Sequence, residues 1–358
     1  MFDEELITWS IDGGGRPFYR RKHKYSVTNV SGFLRIKRRD KWNYRYLHAY
    51  LSRLQSRIQF DYQMKAHPSV IRELYELRWI PLPEQKKIAR ILDTLDTQIR
   101  QTEALIAKLE RIKQGLLTDL LTRGIDQNGQ LRPAPDQAPG LYKDSRFGRI
   151  PQEWEVKQLS DLAEVNRGKF THRPRNDPEY YGGEYPFIQT SDVAAAKGGY
   201  VYDYSQTLSR LGTTASSVFP AGTIAITIAA NIADTAILGI PMYFPDSVVG
   251  AVVNRAIADM RFIELCIRRA KRALDAKAPQ SAQKNINLQD LRPLLIPTPS
   301  LAEQKSTSDR YETLMSKIAT ERKLLGKLCL EKTALMDDLL TGRVRVTPLL
   351  ESKERATA

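Results

Sequence analysis

The stretch from Glu84 to Gly124 is written twice, and this constrains the fold more than any other feature of the chain. It opens on Ile80-Pro81-Leu82-Pro83-Glu84-Gln85-Lys86 and closes on Asp119-Leu120-Leu121-Thr122-Arg123-Gly124. The second copy opens on Ile296-Pro297-Thr298-Pro299 and Glu303-Gln304-Lys305, and closes on Asp338-Leu339-Leu340-Thr341-Gly342-Arg343. Glu84 to Asp119 and Glu303 to Asp338 are both steps of 35, and the copies align without a gap at an offset of 219. In the first copy Ile88, Leu92, Leu95, Ile99, Ile106, Leu109, Leu116 and Leu120 fall at alternating steps of three and four, with Thr102 and Lys113 in the skipped places. Tyr311, Leu314, Ile318, Leu325, Leu328, Leu335 and Leu339 take the equivalent places in the second. Such a heptad-like stripe predicts one long helix per copy with a narrow apolar seam, roughly 55 Å long at the helical rise. Pro83 and Pro299 suit helix starts, and Gly124 and Gly342 suit C-caps. A seam this narrow needs a partner, and the simplest partner for each helix is the other, packed antiparallel.

The globular parts repeat as well. Phe2 to Ser10 matches Phe219 to Thr227 at an offset of 217. About 70 residues, Gly148 to Val218, precede that point in the second domain and none in the first, so the first domain lacks its front half. Either the gene is truncated or its true start lies upstream. The expected layout is a partial recognition domain over 1–83, a long helix over 84–124 and a Pro- and Gly-rich linker over 125–147. A complete domain over 148–300, a second long helix over 301–343 and a flexible tail over 344–358 follow. The fold class is α+β: two repeated units, each a mixed α/β domain followed by a long helix.

The 358 residues carry a net charge of +14, which favours a polyanionic partner, nucleic acid first. Two cysteines, Cys266 and Cys329, match no metal spacing and imply a reducing compartment. No apolar run is long enough to span a membrane, and the acidic N-terminus is unlike a signal peptide, so the expected location is the cytoplasm. None of His23, His48, His67 and His172 sits in a pair with helical metal spacing. Asp12-Gly13-Gly14-Gly15-Arg16 lacks the Lys-Ser/Thr ending of a phosphate loop. No Asn/Asp-Pro-Pro-aromatic tetrapeptide and no nucleophile elbow occurs. We read no active site, no cofactor and no metal.

Nucleic-acid signals are stronger. Arg16, Arg20, Arg21, Lys22, Lys24 and Arg38 belong to a dense basic run interleaved with Phe18, Tyr19, Tyr25, Trp42 and Tyr44, where the one acid is Asp40. That density suits phosphate contacts. In the second domain three polar, basic loops are candidates for base contact: Arg167, Lys169, Thr171, Arg173 and Arg175; Gln189, Thr190 and Ser191; and Gln280, Gln283, Lys284, Asn285 and Asn287.

The doubled Glu-Gln-Lys opening and Leu-Leu-Thr closing resemble the specificity subunit of type I restriction-modification systems. So do Phe147-Gly148-Arg149-Ile150-Pro151-Gln152-Glu153-Trp154-Glu155-Val156 and Ser281-Ala282-Gln283-Lys284-Asn285-Ile286-Asn287. The resemblance spans nearly the whole chain. It implies two target recognition domains, each reading half of a split DNA site, separated by an antiparallel coiled coil that sets their spacing. It further implies a non-catalytic subunit in phage defence that holds two modification (methyltransferase) subunits, with a restriction subunit joining for cleavage. Glu84, Gln85, Glu303 and Gln304 are the expected partner contacts, and the incomplete first domain is an expected site of self-association. The alternative is a coiled-coil scaffold joining protein partners without DNA specificity; salt-dependent DNA binding separates the two.

Overall fold

The computed structural model describes residues 1–61, 64–229, 231–277 and 285–350. They form two compact units, one made of 1–109 with 317 onward and the other of 110–316. The boundary cuts both long helices.

In the first unit, β1 (Phe2–Asp3), β2 (Leu6–Ser10), β3 (Pro17–Arg20), β4 (Lys24–Tyr25) and β5 (Ser31–Leu34) precede α1 (Tyr44–Gln55) and α2 (Pro68–Leu74). The long helix α3 (Leu82–Leu120) follows. Strands β3, β2 and β5 form an antiparallel sheet in that order, with β1 and β4 paired as a separate ribbon. Side chains alternate across a strand, so Ile7, Tyr19 and Leu34 share one face and pack on Tyr44, Leu47 and Leu51 of α1. Asn43 caps α1, its side chain accepting from the backbone of Arg45 and Tyr46.

In the second unit, β6 (Tyr142–Ser145), β7 (Gly148–Pro151), β8 (Glu155–Gln158), α4 (Leu159–Leu162) and β9 (Ala163–Arg167) come first. Next are β10 (Tyr181–Phe187), α5 (Thr190–Ala196), β11 (Tyr200–Val201), β12 (Gln206–Leu208), α6 (Arg210–Ala215) and β13 (Ser217–Phe219). Then come β14 (Ile224–Thr227), β15 (Thr235–Leu238), β16 (Met242–Phe244), β17 (Val248–Val253) and α7 (Met260–Lys277). The unit closes with α8 (Leu288–Leu291), β18 (Leu295–Thr298) and the start of α9 (Leu301–Thr341). The main sheet has the order β11-β15-β14-β17-β9. Its run Ile224-Ala225-Ile226 is buried on both sides. Ile224, Ile226 and Ile237 face Phe262, Ile263 and Ile267 of α7, while Ala225, Ala236 and Leu238 face Val193, Phe219 and Phe244.

The repeat seen in the sequence is thereby a structural one. Strands β3-β2-β5 correspond to β15-β14-β17 at offsets of 217 to 218, with the same order and antiparallel sense, and α1 corresponds to α7. Counterparts of β9 and β11 are absent from the described residues of the first unit.

The two long helices pack antiparallel within each unit. In the first, Ile88 and Leu92 near the start of α3 share a core with Leu339 and Leu340 near the end of α9, and Lys332 pairs with Asp96 at 2.5 Å. In the second, Leu120 at the end of α3 shares a core with Tyr311 near the start of α9.

Two stretches depart from expectation because single side chains tie them down. Within the 125–147 linker, Arg132 is buried against Glu303, and Tyr142 is buried on the β6–β7 hairpin. In the tail, Val346 is buried in the first unit's core and Arg345 pairs with Glu84, so these two residues tie its start down. Residues 351–358 lie outside the described residues.

Candidate nucleic-acid interface

The doubled Glu-Gln motif has an internal task. Glu84, 5% exposed, receives Arg345 through Nε at 3.0 Å and Nη2 at 2.7 Å. Glu303 receives Arg132 through Nη1 at 2.6 Å and Nη2 at 3.1 Å, together with the Trp154 indole N–H at 3.2 Å and the Ile125 backbone N–H at 2.8 Å. Each glutamate near the start of one long helix therefore grips the segment that follows the other. Gln85 donates to the carbonyls of Ile80 and Lys41 and accepts from Asn43 N; Gln304 donates to the Pro299 carbonyl and accepts from Asp259 N. Both amides are fully buried, so all four residues expected to contact a partner are engaged inside the fold instead.

The first unit's basic run gathers around a groove of about 540 Å³ between β3 and the long helices. Arg16, Arg20, Arg21 and Arg45 line it, joined by Arg100 of α3 and Lys332 of α9. Arg45 pairs with Asp93 and Lys332 with Asp96. Among the described residues no carboxylate pairs with Arg16, Arg20, Arg21 or Arg100, which leaves an excess of positive charge there. Lys22 and Lys24 are exposed nearby in sequence, and Arg38 is held by Asp40 at 2.8 Å in a fully solvated pair. Such a pair contributes little to stability and yields readily to a phosphate. Arg100 and Lys332 escaped the sequence reading because they sit on helices whose apolar seam dominates the pattern.

In the second unit Asp246 draws three predicted arginines together. Its carboxylate meets Arg175 closely and Arg173 at 3.8 Å, and its backbone carbonyl accepts from Arg167 Nε at 2.5 Å. Lys169 is exposed beside them, its N–H donating to the Phe244 carbonyl at 3.2 Å. Gly168 allows this approach: a Cβ there would lie 2.3 Å from the Pro245 carbonyl oxygen. The Thr171 backbone N–H donates to the Ala215 carbonyl at 3.0 Å. Thr190 and Ser191 form the first turn of α5. Gln189 caps α5, and its Nε2 is enclosed with no hydrogen-bond partner among the described residues. Asn287 caps α8, its Oδ1 accepting from Gln289 N at 2.7 Å, while the residue itself is exposed. Asn285 is exposed in a bridge to Ala229. Gln280, Gln283 and Lys284 lie outside the described residues.

Two basic clusters on two related sheets, joined through a doubled helix motif, match one family. Residues 1–111 and 151–329 fit the type I restriction modification DNA specificity domain. The chain belongs to the type I restriction-modification DNA specificity family. Similar proteins include the putative type I restriction enzyme MjaX specificity subunit of Methanocaldococcus jannaschii, 26% identical over 266 residues, 74% of this chain and 58% of that one. The MjaVIII specificity subunit of the same organism is 25% identical over 362 residues, 96% of this chain and 80% of that one. The chain thus spans little more than half the length of the first relative and most of the second. The HsdS subunit from Thermoanaerobacter tengcongensis has the same fold, with a TM-score of 0.54 at 13% identity over 95% of this chain and 81% of that one. So does the type I S subunit from M. genitalium, with a TM-score of 0.57 at 14% identity over 95% and 83%. Within this specificity family the doubled Glu-Gln motif acquires a physical meaning here: it is the joint between each helix start and the far end of its antiparallel partner.

Proposed function

We propose that this specificity-family chain reads DNA sequence for a type I restriction-modification complex, one half of a split site per unit. It positions modification subunits that carry the methyl-transfer chemistry, and a restriction subunit joins for cleavage. The observation that carries this reading is the cluster of Arg167, Arg173 and Arg175 around the single carboxylate Asp246, with Lys169 exposed beside them, at the β9 edge of the main sheet. Four cations against one acid form a local anion-binding surface, and the arginine fork suits guanine edges as well as phosphates. In the first unit Arg16, Arg20, Arg21, Lys22 and Lys24 supply backbone contacts. The chain contributes no chemistry of its own and works in the cytoplasm; no helix among the described residues is long and apolar enough to cross a membrane.

The test is binding of the chain, with a modification subunit, to a randomised duplex library. A bipartite consensus is the expected result. Arg173→Ala should relax preference at particular base pairs by about 1–3 kcal/mol each. Binding without any consensus, or no salt-dependent DNA binding at all, would replace this reading with a protein scaffold.

A further inference from the structure

The first unit's sheet has a second face, opposite α1, and its residues are unlike those of its counterpart. Pairing registers place Phe18, Thr8 and Phe33 in one cross-strand row. With strands about 4.8 Å apart, the two phenylalanines stand roughly 10 Å from each other on either side of Thr8. Phe18 is 45% exposed and Phe33 44%. The Arg16 and Arg20 guanidiniums lie 5.9 and 5.7 Å from the Phe18 ring centre, and Arg35 lies 5.8 Å from that of Phe33. The Phe2 ring sits 5.3 Å from Phe33 and 5.8 Å from Tyr25, extending the aromatic surface. A slot of about 210 Å³ is lined by Thr8, Ser10, Phe18, Arg20, Thr28 and Ser31, an aromatic wall facing several hydroxyls with a cation at hand. Arg35 is engaged by Glu4 at 2.6 Å, whereas Arg16 and Arg20 have no carboxylate partner among the described residues.

The second unit fills these positions differently. Ala225 stands for Thr8, Ala236 for Phe18, Leu238 for Arg20, Val248 for Ser31 and Gly250 for Phe33. All are small or aliphatic, and the buried Ala225, Ala236, Leu238 and Val248 pack under Phe219, Met242 and Phe244. A Cβ on Gly250 would lie 2.3 Å from the Phe219 ring, so a phenylalanine there is incompatible with that cover. The first unit's face is therefore not the same surface with its cover removed. It has rings, guanidiniums and hydroxyls where the other has an apolar seat.

We propose that this face binds single-stranded nucleic acid, with bases stacked on Phe18 and Phe33 and phosphates met by Arg16 and Arg20. Exposed rings interleaved with arginines on an open sheet offer stacking surfaces to bases and charge to the backbone. A duplex cannot use the rings, because its bases already stack on each other. The two arginines can meet phosphates of either ligand, whereas the rings serve single strands alone, so the proposal stands without the duplex reading.

The experiment is fluorescence anisotropy of the full chain with labelled oligothymidylate and oligouridylate of about 12 nucleotides, and with a duplex of equal length. Phe18→Ala and Phe33→Ala should each weaken single-strand binding roughly tenfold, as loss of one stacking platform does. Their duplex affinity should stay unchanged, and Phe18→Trp should restore single-strand binding. The oligouridylate arm tells RNA from DNA as the source. Alanine variants that bind single strands as the parent does would overturn the proposal. So would equal losses for single strands and duplex, which would make the face an ordinary backbone contact. A parent chain that ignores single strands but dimerises through Phe18 would overturn it in favour of a second copy.

Discussion

His48 shows how one half-buried side chain links the first unit's stability to pH. Its Nε2 lies 3.1 Å from the Pro17 carbonyl, and desolvation pushes its pKa below the usual histidine value of 6.5. The unfolded chain therefore binds a proton at a higher pH than the folded one. Stability is full above about pH 6.5 and declines as pH falls from there toward the lower folded value, where the loss is complete. Thermal melts of the parent and His48→Gln between about pH 5 and 7.5 should show a falling midpoint on acidification in the parent and a flatter profile in the variant. Equal slopes would show that His48 is not the linked group. This role was not visible in the sequence, where His48 stood among four histidines with no metal spacing. Gly124 was half legible. Its position past the helix end marks a C-cap, and its φ of +66° agrees. The sequence could not show that a Cβ there would also collide with Glu303 and Trp154.

At the scale of elements, the long helices were the most legible part, because a seam of period 3.5 repeated over 35 residues has few other readings. Ile88, Leu92, Leu109, Ile318 and Leu328 are all buried as the stripe implies. Glu84 and Gln85 were read less well. The resemblance implies contact with another subunit, but the recurrence of the motif also follows from a joint that must be made twice within one chain. The linker was missed for a related reason: Arg132 is held by a glutamate 171 residues away, and no local pattern announces that. Leu109→Asp or Leu328→Asp would bury an unpaired charge in the seam and should cost roughly 3 kcal/mol or more. Chemical denaturation checks this, and a change near zero would mean the seam admits water. Arg132→Ala should also destabilise the second unit, because it strands the Glu303 carboxylate with only the Trp154 and Ile125 donors.

For the whole molecule, the two basic clusters should differ in what they control. Arg20→Ala, Arg21→Ala and Lys22→Ala together should weaken binding to all duplexes alike and lower the salt slope by about one per lost phosphate contact. Affinity at two salt concentrations reads this directly. A changed preferred sequence would instead show that these three cations contact base edges and not the backbone alone. The basic balance of the sequence foretold a polyanionic partner, but it could not show that Asp246 draws Arg167, Arg173 and Arg175 together from a distance in the chain.

The discontinuity of the first unit sets a timetable for synthesis. Its first 109 residues leave the ribosome long before residue 317, where its remainder begins. At roughly 5–20 residues per second, the intervening second unit takes about 10–40 s to make. During that interval Ile88 and Leu92 lack Leu339 and Leu340, and Glu84 lacks Arg345. The second unit is contiguous and faces no such wait. A chain ending at Ser316 and released from the ribosome would thus carry a complete second unit and an unfinished first one, with the first seam bare to chaperones and proteases for want of the last forty residues.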